Sequence, residues 1–184
     1  AELWDPYTGT IESIDSVNED GRTSLELSLE SYGSVFVVFR DNATAGIFGR
    51  NLFVEASAVE LSNVWKVDFA GKIVEMKELV SWPKHDGKDI KNFSGTAVYR
   101  TIFQCSEKGR YMLDLGDVKN IAEVSLNGQK LATLWKSPFR LEISDAVKQG
   151  NNVLEVHVTN LWPNRLIGDQ HLPASKRTTW TNND

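Results

Sequence analysis

The stretch Val124-Ser125-Leu126-Asn127-Gly128-Gln129-Lys130-Leu131 reads as a β-hairpin, and from it the fold class follows. Val124 and Leu126 flank a polar Ser125, the alternation of a half-buried strand. Asn127-Gly128 then offers two residues that tolerate positive φ, which the tight turns matched to strand twist require. The same period recurs outward from this hairpin. Leu25, Leu27 and Leu29 alternate with Glu26, Ser28 and Glu30; Phe139, Leu141 and Ile143 with Arg140, Glu142 and Ser144; Leu154, Val156 and Val158 with Glu155 and His157. Val35-Phe36-Val37-Val38-Phe39 is apolar on both faces and predicts a strand covered on both sides. Asp20-Gly21 predicts another turn, between Ile14 and Leu25.

Helical signals are brief. Ser144 is placed to cap a short turn through Val147 that Gly150 would end. Met76, Leu79 and Val80 have helical spacing, with Pro83 as the stop. Neither segment organises a fold, so the class is all-β. A fresh series of strands begins at Val64-Trp65-Lys66-Val67-Asp68-Phe69, which places a boundary between about Asn51 and Asn63. Residues 1–57 then form part of one β-sandwich and residues 58–184 a second, fuller one.

The bulk figures narrow the function. Of the 184 residues 41% are hydrophobic and 24% charged, so the chain can bury a core large enough to offset ordering entropy. A net charge of −5 with no dense basic stripe argues against nucleic acid as partner. No run approaches the roughly 18 apolar residues of a membrane helix, so no membrane partner is expected. Cys105 is the only cysteine, which leaves no intrachain disulfide and no multi-cysteine metal site. The opening Ala1-Glu2-Leu3-Trp4 is not a signal peptide, and the missing initiator Met suggests a fragment of a longer protein.

From Phe93 onward the order of motifs resembles a known family. Phe93-Ser94-Gly95-Thr96-Ala97-Val98-Tyr99-Arg100 is similar to the entry strand of the galactose-binding-like jelly roll of glycoside hydrolases. Leu113-Asp114-Leu115-Gly116-Asp117-Val118, the hairpin, Trp135-Lys136-Ser137-Pro138-Phe139, Ile143-Ser144-Asp145-Ala146-Val147-Lys148 and Gly150-Asn151-Asn152-Val153-Leu154-Glu155-Val156 follow in the order of the sugar-binding domain of family 2 glycosidases. Thr159-Asn160-Leu161-Trp162-Pro163-Asn164-Arg165-Leu166-Ile167-Gly168-Asp169 resembles the C-terminal region of family 106 glycoside hydrolases, the α-L-rhamnosidases. Tyr32-Gly33-Ser34-Val35-Phe36-Val37-Val38-Phe39 is similar to the sandwich preceding it there. The resemblance implies a jelly roll that continues past Asp184 and a catalytic barrel lying elsewhere. No family catalytic residue has a position here to be carried onto.

Glycoside hydrolysis needs two carboxylates roughly 5–9.5 Å apart. Glu26, Glu30, Glu142 and Glu155 fall instead on solvated strand faces, and no catalytic pair emerges. His85, His157 and His171 sit in no nucleophile motif, and Cys105 reads as a buried, inert thiol. No cofactor is expected; a structural Ca²⁺ held by Asp114, Asp117 and Asp169 is the one metal candidate, on the hard oxygen ligands that ion prefers. The sequons at Asn42 and Asn92 read as chance.

Six tryptophans give the best lead. Sugars stack on flat aromatic faces while Asn, Arg and Asp hydrogen-bond their hydroxyls. Trp162, Asn164, Arg165 and Asp169 supply that chemistry in one expected loop, with Trp135 in a possible neighbouring one. The structural counter-reading is that Arg165 and Asp169 simply pin the loop as an ion pair. The expectation is thus a non-catalytic, sugar-binding sandwich of a glycoside hydrolase acting on rhamnose-containing polysaccharide. Its partners would be carbohydrate and the catalytic barrel, and the resemblance implies a periplasmic or secreted protein. The alternative is an independent carbohydrate-binding module.

Overall fold

Strands carry the chain, as the alternation predicts. The computed structural model describes residues 1–40, 58–61 and 63–181, and the chain divides into two units, Ala1–Val59 and Glu60–Asp184. Most of the stretch expected to hold the boundary, and the sequon at Asn42, lie outside the described residues.

The first unit contains β1 (Glu2–Trp4), β2 (Ile11–Ser13), β3 (Ser16–Glu19), β4 (Arg22–Leu25) and β5 (Phe36–Val38). β2, β1 and β5 make one antiparallel sheet, and β3–β4 is a hairpin whose turn residues Asp20 and Gly21 both take positive φ, as expected. Two expectations fail here. The alternation through Leu27 and Leu29 is not a strand: β3 begins at Ser16, opposite Leu25, so Glu26 and beyond have no ladder to join. The 35–39 run is not covered on both faces either, since Phe36 is 63% exposed. An apolar run states what a strand could bury; burial itself needs a second layer.

The second unit comprises β6 (Trp65–Phe69), β7 (Lys72–Met76), α1 (Lys88–Lys91), β8 (Thr96–Cys105), β9 (Met112–Asp114), β10 (Ile121–Leu126), β11 (Gln129–Leu134), β12 (Arg140–Glu142), β13 (Gly150–Thr159) and α2 (Pro163–Gln170). Six strands pair antiparallel in the order β11-β10-β13-β8-β6-β7, and β12 pairs with β9 in a small second sheet. Alternate residues of the large sheet are buried on one face: Val67 and Phe69, Ala97 and Tyr99, Val124 and Leu126, Leu154 and Val156. Leu113, Phe139 and Ile143, on and beside the small sheet, complete that core. The β10–β11 turn has Asn127 and Gly128 at φ 53 and 83°, the geometry its sequence predicts.

Both short helical expectations need correction. Met76 ends β7 opposite Trp65, and Pro83 lies in a 3₁₀ turn (Trp82–Lys84) instead of stopping a helix. Proline fits the first turn because its missing N–H has no partner there anyway. Ser144 caps nothing: its hydroxyl accepts from the Tyr111 N–H and donates to Glu142. Gly150, at φ 88°, opens β13. Among the described residues no helix is long and apolar enough to cross a membrane.

Asn152 holds the far end of the large sheet together. It has no exposed surface, accepts from Asn127 Nδ2 and the Lys148 N–H, and donates to the Lys148 and Gly150 carbonyls. Asn152→Ala removes four hydrogen bonds made by a fully buried side chain and is expected to lower unfolding free energy by about 2 kcal/mol or more. Urea denaturation measures it; a loss under about 0.5 kcal/mol would show the network to be dispensable.

Candidate functional site

Register places five strand ends together. Phe69 lies opposite Ala97, Thr96 opposite Thr159, Thr159 opposite Ile121, and Ala122 opposite Leu134. The chain leaves this end of the sheet at Asn160 and enters α2 within three residues. The expected 162–169 loop is therefore a helix, with Trp162 at its N-terminal boundary and Pro163 in its first turn.

Two clamps seat α2 on the residues that lead into β8. The Asn160 amide accepts from the Gly95 N–H at 2.9 Å and donates to the Phe93 carbonyl at 3.0 Å. Ser94 Oγ donates to the Leu161 carbonyl and accepts from the Arg165 N–H, both at 3.0 Å. Gly168 then lets the helix approach closely: a Cβ there would stand 2.7 Å from Cβ and Cγ of Asn92. Beneath this lies a cluster of Phe69, Trp82 and Phe93 in mutual edge-to-face contact, with ring centroids 5.3–5.5 Å apart. The Trp82 indole N–H donates to the Tyr99 hydroxyl at 2.5 Å.

Asp169 sits under the helix, 2% exposed. Its Oδ2 accepts four hydrogen bonds, from the backbone N–H and the hydroxyl of both Thr178 and Thr179, at 2.7–2.9 Å. Arg165 Nε approaches its Oδ1 at 3.6 Å and donates to Thr178 Oγ1 at 2.9 Å. Burial opposes ionisation of Asp169, but the hydrogen bonds from Thr179 and Thr178 outweigh it and lower its pKa to about 2. This carboxylate staples the 178–180 segment against α2.

The staple shapes two recesses. One, of about 330 Å³, is lined by Trp162, Leu166, Thr178, Thr179 and Trp180; the other, of about 320 Å³, by Phe93, Ser94, Trp162, Arg165 and Thr178. Of the five residues expected to meet sugar, Trp162 and Arg165 line these walls. Asp169 does not line them; it is buried and bonds to Thr178 and Thr179. Asn164 is half-buried in the first turn of α2. Trp135, 59% exposed, follows β11 at the same sheet end but two strands away from β13, roughly 10 Å across the sheet. Sequence reasoning missed Thr178, Thr179 and Trp180. Two threonines and a terminal tryptophan form no motif, and only folding brings them to Asp169.

The calcium candidates are not brought together. Asp114 pairs with Arg140, Asp117 with Lys119, and Asp169 with the threonines. On the opposite face of the sheet, Arg100 and His157 both hold Glu155, at 2.5 and 2.6 Å, and Lys130 holds Glu123. The carboxylates whose pKa is clearly displaced, Asp89, Asp114, Glu123, Glu155 and Asp169, are all displaced downward. A general acid needs the reverse.

Residues 84–182, more than half of the chain, match the model of the glycosyl hydrolase 2 galactose-binding domain-like family. The chain belongs to that family. This galactose-binding-like chain is similar to the structure of a rhamnosidase from Novosphingobium sp. PP1Y, at 38% identity and a TM-score of 0.79 over 97% of this chain and 18% of that one. It is 50% identical to a protein of Formosa agariphila provisionally named a beta-glucuronidase, over 62% of this chain and 11% of that protein. A beta-glucuronidase from an uncultured Clostridium sp. shares the fold, with 20% identity and a TM-score of 0.51 over 56% of this chain and 22% of that one. The galactose-binding-like chain thus spans less than a fifth of the Formosa protein and of the rhamnosidase.

The depressed Asp169 pKa makes a signed prediction. A carboxyl whose folded pKa lies below its unfolded value contributes stability above the unfolded pKa, near 3.9, and loses it as pH falls toward about 2. Asp169→Asn is therefore expected to lower Tm at pH 7 and to narrow the stability difference from wild type between pH 4 and pH 2. Equal Tm differences at both ends of that range would show that Asp169 is not the titrating staple.

Proposed function

We propose that this chain is the accessory β-sandwich region of a larger glycoside hydrolase of the family 106, α-L-rhamnosidase type. It packs beside a catalytic barrel supplied elsewhere in the protein and shapes the rim of the substrate cleft with the Trp162–Arg165 surface. One observation carries this reading: the likeness to the Novosphingobium rhamnosidase runs through 97% of the chain at 38% identity, so it takes in both units. The downward-displaced carboxylates support a non-catalytic role for the chain itself, since the raised-pKa general acid of a glycosidase pair is not among them. A periplasmic or secreted location goes with the reading and is open to cell fractionation.

A second reading, an independent carbohydrate-binding module, draws on Trp162 and Trp180, both exposed beside one recess. Fold alone does not choose between the two. Activity does. The 184-residue chain is expected to leave 4-nitrophenyl α-L-rhamnoside intact, while the longer protein encoded with it hydrolyses that substrate. Hydrolysis of 4-nitrophenyl β-D-glucuronide in place of the rhamnoside would overturn the rhamnosidase assignment. Turnover by the chain alone would overturn the accessory role.

A further inference from the structure

We infer that the two recesses beside Trp162 are adjoining subsites of one groove for an uncharged disaccharide, with Trp180 as the second stacking surface. The inference rests on the carbohydrate-facing reading above and gives that surface its residues and its ligand class.

Continuity comes first. Trp162 and Thr178 line both recesses, so the two share a wall, and each is near the lower end of small-ligand sites, enough for one pyranose ring. The walls come next. Trp162 is 63% and Trp180 81% exposed, and Leu166 lies in the same recess. Exposed apolar surface gathered around a recess marks an interaction site, and indole faces suit the C–H face of a sugar ring.

The polar groups are already oriented. The Thr178 and Thr179 hydroxyls donate to Asp169, which leaves oxygen lone pairs to accept from ligand hydroxyls. Arg165 spends its Nε–H on Thr178 and has further guanidinium donors. A sugar hydroxyl, at once donor and acceptor, matches both kinds of group. Rigidity follows from the staple: the buried Asp169 fixes the two threonines that precede Trp180, so little ordering is left for the ligand to impose.

Charge selects the ligand class. Among the described residues Arg165 is the only charged one lining the groove, and Asp169 at 3.6 Å compensates it. A carboxylate-bearing sugar would lose hydration there without gaining a free cation in return. A neutral sugar meets no such cost. Asp169 is a positioning residue in this arrangement and does not touch the ligand.

Titration of the ¹⁵N-labelled chain with rutinose, a neutral rhamnose-containing disaccharide, tests this through its six indole N–H signals. The Trp162 and Trp180 signals are expected to move together and saturate in the millimolar range, while Trp135 and the buried Trp65 and Trp82 stay in place. Trp162→Ala and Trp180→Ala should each weaken binding by roughly tenfold, with unmoved Trp65 and Trp82 signals certifying the fold. An aldobiouronic acid of the same length should bind more weakly than rutinose. The groove is refuted by no movement of either signal, by movement of Trp135 alone, or by tighter binding of the acidic sugar. Concentration-dependent movement of the same two signals without sugar would make the surface a self-association face and would equally overturn it. Rhamnosidase activity of the longer protein is scored separately, so a failed groove leaves that assignment standing and a failed assignment leaves the groove to be judged by binding.

Discussion

Ten residues of β8 run antiparallel to ten of β13, from Thr96 opposite Thr159 to Cys105 opposite Gly150, and the rest of the second unit is arranged around that ladder. Both strands are internal to the sheet, so each must be satisfied on two edges and can bury only one face. The register decides which face. A slip by one residue would send Ala97, Tyr99, Leu154 and Val156 to solvent and bring Arg100, Glu155 and His157 into the core. The contacts of Glu155 with Arg100 and His157 therefore sit where the ladder puts them, on the solvated side.

The same ladder fixes where α2 sits. It ends at Thr96 and Thr159, whose hydroxyls meet at 2.7 Å, and the chain segments beyond them are tied by Asn160 and Ser94. α2 has no freedom to leave that position, since Gly168 lies against Asn92. Arg165, Leu166 and Asp169 are then presented at one sheet end, and Asp169 collects the threonines. A short helix of this kind gains little from its own propensity; its place is set by hydrogen bonds to a strand entry far away in sequence.

The displaced carboxylates among the described residues are held toward the ionised form for a related reason. Strand-face acids stand opposite or beside basic residues: in the large sheet Glu155 beside Arg100 and His157 and Glu123 beside Lys130, in the small one Asp114 beside Arg140. Each pairing favours the ionised form. The stretch similar to this chain makes up 18% of the Novosphingobium rhamnosidase.

The sequence by itself determined the all-β class, the Asn127-Gly128 hairpin, the Asp20-Gly21 turn and the buried faces of β10 and β13, because period and turn chemistry are local properties of the chain. It also singled out Trp162 and Arg165, which the fold places on the walls of two recesses. It misled at Leu27 and Leu29, at Met76 to Val80 and at Phe36, where alternation or spacing was present but a partner strand or covering layer was not. Only the tertiary structure decided that Asp169 is a buried staple, that Trp135 lies apart from Trp162, and that Thr178, Thr179 and Trp180 line a recess beside Trp162. Those outcomes depend on contacts between residues brought together by folding, and one side chain's preference carries no information about which distant group will meet it.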